Sequence, residues 1–170
     1  MSSALGGVIM GPYFKDKNRM RSKNKLNDVI RYTWVNSTYP DMNDVISTIP
    51  KGVRYYVKDH RPMIEPYDGI HVILNYMIEV QIHTQHSMAV RDNEIHHRLY
   101  RMKRYDDHIS MRYNDKMDEK AWEIRENIYN EPPPDLPDID GTLTWENLLL
   151  FIDFTYDLGD PEVFSQQTNL

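Results

Sequence analysis

An α+β fold in a single compact domain is predicted by three features of this sequence. The first is period-2 alternation. In IHVILNYMIEVQIHT, Ile70, Val72, Leu74, Tyr76, Ile78, Val80 and Ile82 take every second position, as strand residues facing a core do. The second is helical spacing: Met88, Ile95, Leu99 and Met102 form one stripe, and Met117, Ala121, Ile124 and Ile128 another. The third is order. Strands mix with helices without regular βαβ alternation, which favours a mostly antiparallel or mixed sheet with packed helices. A chain of 170 residues with 40% hydrophobic content is long enough to bury such a core.

Residues 1–25 carry no sustained apolar period, and Gly6-Gly7 and Gly11-Pro12 break any early helix. They read as an N-terminal arm, ordered only by a partner, ahead of a globular region over 26–170. DVIRYTWVN, with Ile30, Tyr32 and Trp34 alternating, reads as the first strand. A short helix follows around Met42, Val45, Ile46 and Ile49, with Thr38 and Asp41 at capping-box spacing and Pro50 and Gly52 as its stop. VRYYVK at 53–58 is a second strand. The alternation from Ile70 to Ile82 exceeds the usual strand length, so a bend or a break into two strands is expected. Its other face, with His71, Asn75, Glu79, Gln81 and His83, is expected to be partly wet. After the two helices, NEPPPDLPDIDG is an exposed, proline-stiffened loop at about 130–141. The last segment fits a helix capped by Thr144 through Trp145, Leu148, Leu149 and Ile152, and a strand through Leu150, Ile152, Phe154 and Tyr156.

Catalytic motifs fail on context. Asp138 to Leu143, DIDGTL, matches the Asp-x-Asp-Gly-Thr signature of haloacid-dehalogenase-type phosphatases, whose two carboxylates sit at the end of a hydrophobic parallel strand. Here PPPDLP precedes it, and proline cannot serve a central strand. His83 and His86 have a spacing that zinc tolerates, with His96, His97 and His108 nearby, but no His-Glu-x-x-His helix is present. There is no cysteine, which excludes disulfides, thiolate catalysis and cysteine-based zinc sites. No P-loop, dinucleotide fingerprint or nucleophile elbow occurs. The expectation is a protein without catalytic residues, cofactor, metal or small-molecule substrate.

Charge is the more informative signal. The chain carries a formal net charge of −6, yet YFKDKNRMRSKNKL places Lys15, Lys17, Arg19, Arg21, Lys23 and Lys25 on every second residue with only Asp16 against them. Asp118 to Glu162 holds thirteen acids and two bases. Such polarity suits a polyanion at one end, or contact between copies, as against plain solvated surfaces. A second basic patch joins Arg98, Arg101 and Arg104 with Lys103, interleaved with Tyr100 and Tyr105 as stacking partners. These nine cations (six in the arm, with Arg98, Arg101 and Arg104) are the candidate polyanion-binding residues, for RNA or an anionic membrane surface. Tyr13 and Phe14 are candidate self-association residues. No run approaches the roughly 20 apolar residues of a bilayer span, and the MSSALGGVIM start lacks a signal-peptide n-region, so peripheral membrane attachment is expected.

The basic Lys15 to Lys25 arm, the α+β domain, the lack of cysteine chemistry and the proline-rich stretch at Pro132 to Pro134 together resemble the organisation of rhabdovirus matrix proteins. The resemblance implies a virion structural protein that self-assembles, binds nucleoprotein or RNA, and bridges the nucleocapsid to the envelope membrane from the cytoplasmic side. The chain departs from that pattern in being acidic overall and in reading PPPD, without the tyrosine, late in the sequence. An RNA- or DNA-binding accessory protein and a protein-interaction adaptor are the alternatives.

Overall fold

The computed structural model describes residues 5–14, 30–61, 65–105, 115–137 and 143–155. The fold is α+β, built on a five-stranded mixed sheet in the order β1-β2-β5-β4-β3. Its strands are β1 (Val8–Phe14), β2 (Ile30–Asn36), β3 (Tyr55–Asp59), β4 (Ile70–Leu74) and β5 (Ile78–Thr84). The helices are α1 (Met42–Ser47), α2 (Gln85–Asp92), α3 (Glu94–Tyr105), α4 (Asp115–Asn130) and α5 (Trp145–Thr155). Strands β2 and β5 pair in parallel, and every other neighbour is antiparallel.

One face of the sheet is apolar. Ile30, Tyr32 and Trp34 of β2, Ile70, Val72 and Leu74 of β4, and Ile78, Val80 and Ile82 of β5 are all buried there. Val45 of α1 and Trp145, Leu148 and Leu149 of α5 close over them. The long alternation does break, as expected, at Asn75–Met77. Leu74 pairs with Ile78 across the turn, so an odd number of turn residues keeps both strands in the same phase. Helix α1 starts three residues later than the capping-box spacing implied. Asp41, not Thr38, is its N-cap, accepting a hydrogen bond from the Asn43 amide at 2.9 Å.

Three departures have clear physical causes. Strand β1 lies inside the expected arm, because Val8, Ile9 and Met10 are apolar enough to add a strand to β2, and Ile9 is buried opposite Trp34. The Gly11-Pro12 pair that ought to interrupt structure makes an irregularity instead: the register steps from Met10↔Thr33 to Tyr13↔Arg31. The stripe from Met88 to Met102 spans two helices, not one. Asn93 sits between them in extended geometry (φ −66°, ψ 122°), and its side chain accepts from the His96 amide at 3.0 Å. That break rotates Ile95 outward and His96 inward. The last segment is helical throughout Trp145–Thr155, capped by Thr144 Oγ1 on the Asn147 amide at 3.1 Å.

Candidate functional site

The second face of the sheet is polar, and it is not wet. Helix α2 lies across β2 and β5 there and packs on α3 and α4. Thr33, Glu79, Gln81 and His83 are buried beneath these helices. Their polar atoms are matched in an extended network. Arg91 of α2 donates to Thr33 Oγ1 at 2.9 Å and to Gln81 Oε1 at 3.1 Å, and Gln81 Nε2 donates to Glu79 Oε1 at 2.7 Å. The Tyr67 hydroxyl stands 2.7 Å from His71 Nε2 and 3.3 Å from His83 Nε2, while His83 Nδ1 meets Ser87 Oγ at 2.8 Å. Both rings can be neutral with every donor used: His71 to Tyr67, Tyr67 to His83, His83 to Ser87, and Ser87 to the Thr84 carbonyl.

Electrostatics agree with neutral rings. Burial first, then the positive fields of His60, Lys58 and Arg91, push the His71 pKa down to about 3. The 3.7 Å approach of His71 Nδ1 to Glu79 Oε2 is therefore a contact with a neutral ring, not an ion pair. Burial and Arg91 hold His83 well below its ordinary range too. The Ser87–His83 pair has the spacing of a nucleophile and its base, but both residues are 0% exposed, so substrate has no approach to either. This network braces the sheet against α2.

A second buried hub centres on Asp68. Its carboxylate accepts from Arg125 at 3.2 Å, from the Tyr39 hydroxyl at 3.0 Å, and from the Tyr129 hydroxyl at 3.0 Å on both oxygens. Burial, then the Asp68 charge, raises the Tyr129 hydroxyl to about 12. Tyr129 also stacks on His86, whose Nε2 donates to the Glu131 carbonyl at 2.8 Å. His83 and His86 thus turn to different partners. Among the described residues, no three His, Asp or Glu side chains are grouped to hold a metal ion.

Among the described candidate interaction residues, Tyr13, Phe14, Arg98 and Arg101 are exposed. Tyr13 and Phe14 end strand β1 at 49% and 69% exposure, with the Arg31 guanidinium 5.8 Å from the Tyr13 ring. The cations Lys15, Lys17, Arg19, Arg21, Lys23 and Lys25 follow directly in sequence and lie outside the described residues, as do His108, Asp138 and Asp140. Arg98 and Arg101 are exposed on α3 beside a partly exposed Tyr100. Arg104 belongs to the same helix, three residues on. A separate groove of about 270 Å³ opens between the end of α1 and α5, lined by Thr48, Pro50, Glu146, Leu149 and Leu150.

Sequence reasoning missed both buried hubs. The alternate polar positions from His71 to His83 were visible, but not the helix that covers them. The buried Asn75 clasp on the Arg54 backbone was also missed, although an asparagine inside a strand pattern is a turn signal. Fold and surface together define an α+β protein with a mixed five-stranded sheet, two buried polar hubs and exposed basic and aromatic patches. No protein-family model and no curated protein matches the chain. No helix among the described residues is long and apolar enough to cross a membrane.

Proposed function

We propose that this chain is a non-enzymatic structural protein of the viral matrix type, which self-assembles and bridges a nucleocapsid to an anionic membrane surface. In that role it works in the virion and the host cytoplasm, peripheral to the membrane. The observation that carries the reading is the end of β1. Two large aromatic side chains, Tyr13 and Phe14, are exposed on an edge strand immediately before six alternating cations. Aromatic anchors followed by positive charge suit attachment to a partner that is apolar in one place and anionic around it. The groove beside α5 supplies that combination on another copy, because Leu149 and Leu150 line it with Glu146. Thirteen acids between Asp118 and Glu162 add long-range attraction.

The exposed Arg98, Tyr100 and Arg101 on α3 favour a second reading, a stand-alone nucleic-acid-binding protein. Neutralising all six arm cations, from Lys15 to Lys25, separates the two. The matrix reading expects unchanged melting together with loss of assembly and of liposome and RNA co-pelleting, and a flattened salt dependence. Sedimentation and co-pelleting across a salt series measure this. Equal assembly by both proteins refutes the matrix reading, and a discrete RNA complex without assembly supports the second one.

A further inference from the structure

We infer that His83 is an acid-operated latch for helix α2. A proton on its ring releases α2 from the polar face of the sheet, and the apolar face stays closed. The device needs neither self-assembly nor a bound partner.

The two faces of the sheet are held by different physics. Beneath α1 and α5 the side chains of β2, β4 and β5 pack as an apolar layer, which is indifferent to pH. Helix α2 covers the other face. It continues directly from β5, because Thr84 both ends the strand and caps the helix. The buried side chains of α2 are Ser87 and Val90. Ser87 meets an ionisable ring, at His83 Nδ1, 2.8 Å away. Arg91 adds the bonds to Thr33 and Gln81 one turn further on. Gln85 and His86, which reach the Pro134 and Glu131 carbonyls beyond α4, sit at the hinge and move least.

The hydrogen bonds around His83 have room for one ring proton only. Ser87 Oγ accepts from the Thr84 amide at 3.0 Å and donates to the Thr84 carbonyl at 3.3 Å, so Nδ1 is the donor to Ser87. Nε2 then accepts from the Tyr67 hydroxyl at 3.3 Å, and that hydroxyl accepts in turn from His71 at 2.7 Å. A second ring proton points Nε2–H at a hydroxyl that already donates there. The Tyr67 hydrogen loses its acceptor inside the protein, a cost added to that of the buried charge. The ring cannot turn away. Gly69 backs onto it so closely that a side chain there would lie 2.9 Å from Cε1. Moving α2 is the relief that remains.

Charges around the ring oppose the added proton as well. After burial itself, Arg91 of α2, His71 of β4, Arg31 of β2 and His60 beyond β3 all act to lower its pKa. The nearby carboxylates are engaged elsewhere. Glu79, on the same strand and face, accepts from Gln81 at 2.7 Å and stands 3.7 Å from His71. Asp68, next to Tyr67 in sequence, holds Arg125, Tyr39 and Tyr129. That second hub keeps α4 fixed to the loop before β4 when α2 moves.

Once α2 opens, the ring meets water and titrates near 6.5, whereas under α2 it is held well below that value. Between the two, only the open form takes up the proton. Closure is therefore strongest above about 6.5 and is lost as pH falls, with the open population rising about tenfold between pH 7.5 and 5.5.

Hydrogen–deuterium exchange of the full chain, with labelling times scaled to the intrinsic rate at each pH, measures the opening. Peptides from Gln85–Asp92 are expected to exchange about tenfold faster at pH 5.5 than at pH 7.5, while β4, β5 and α5 keep their protection. The near-ultraviolet circular dichroism of the stacked Trp34 and Trp145 is expected to stay constant over the same range. His83→Gln keeps a donor and an acceptor without a titrating ring, and its α2 exchange is expected to be equal at both pH values. Should glutamine disturb the packing, the unaltered protein decides. NMR of the histidine ring nitrogens follows protonation of His83, which must share one midpoint with the rise in α2 exchange. Equal exchange at the two pH values, loss of protection in α5 together with α2, pH dependence that survives His83→Gln, or protonation of His83 without opening would each overturn the latch.

Discussion

The indole rings of Trp34 and Trp145 lie parallel, with centroids 5.1 Å apart and planes inclined by 8°. Both are fully buried, and each indole N–H has a partner: Trp34 donates to the Gly6 carbonyl at 3.0 Å and Trp145 to Thr48 Oγ1 at 2.7 Å. This stack joins the second strand of the sheet to the last helix, and fastens the start of β1 and the end of α1 to the same point. Gly7 is required beside it. With φ at 81°, a side chain there would run into Asn36 and the Trp34 ring.

Trp145→Ala is therefore expected to lower unfolding free energy by about 3–5 kcal/mol, since a large ring leaves a core that cannot collapse around it. Urea denaturation followed by circular dichroism measures this. A loss below about 1 kcal/mol would mean that α5 is not anchored through this ring.

Leu74→Ala removes a fully buried side chain at the end of β4 on the apolar face. The expected loss is about 2–5 kcal/mol, with the midpoint of denaturation shifted and its slope retained. Tolerance of the alanine would contradict the placement of β4 in the core.

Asp68→Ala is expected to cost more than a surface ion pair. It leaves Arg125 and the hydroxyls of Tyr39 and Tyr129 without their shared acceptor in a buried site. Removing one member of such a pair costs about 3–5 kcal/mol. Replacing Asp68 and Arg125 together by apolar residues should recover part of that loss, and a thermal-melt comparison of single and double variants tests the coupling.

Stability should fall on mild acidification. His71 and His83 are neutral in the folded protein, their pKa values held down chiefly by burial, with His96 lowered for the same reason. In the unfolded chain they titrate near 6.5. Between that value and about 3 for His71, the unfolded state holds protons that the folded state lacks. Unfolding free energy then decreases as pH drops through this window, by up to about 1.4 kcal/mol per pH unit for each histidine. Denaturation at pH 7.5, 6 and 5 stays above the carboxylate range. A constant midpoint across these values would show that the rings are charged inside the fold.

Local pattern carried most of the fold. The strands at Ile30, Tyr55 and Ile70 onward, the helices around Met42 and Ala121, and the α+β class follow from spacing, because a period of 2 or 3.6 residues is imposed by backbone geometry at each site. Core membership of Val72, Leu74 and Ile78 follows for the same reason. The break at Asn75 could be expected from length but not located from phase, since three turn residues leave the alternation intact.

Composition and order along the chain also determined the contrast between a basic start and an acidic end, and the lack of cysteine chemistry. Tertiary structure decided the rest. It recruited Val8–Phe14 into the sheet, turned Ile95 out and His96 in, and buried Glu79, Gln81 and His83 under α2. A polar side chain on an alternating strand reads as solvent-facing until another element covers it. Whether it is covered depends on contacts between residues far apart in sequence, such as Arg91 with Thr33, and Asp68 with Arg125. Those contacts leave no periodic trace, because each is a single meeting of complementary groups that only the packed sheet and helices bring within hydrogen-bonding distance.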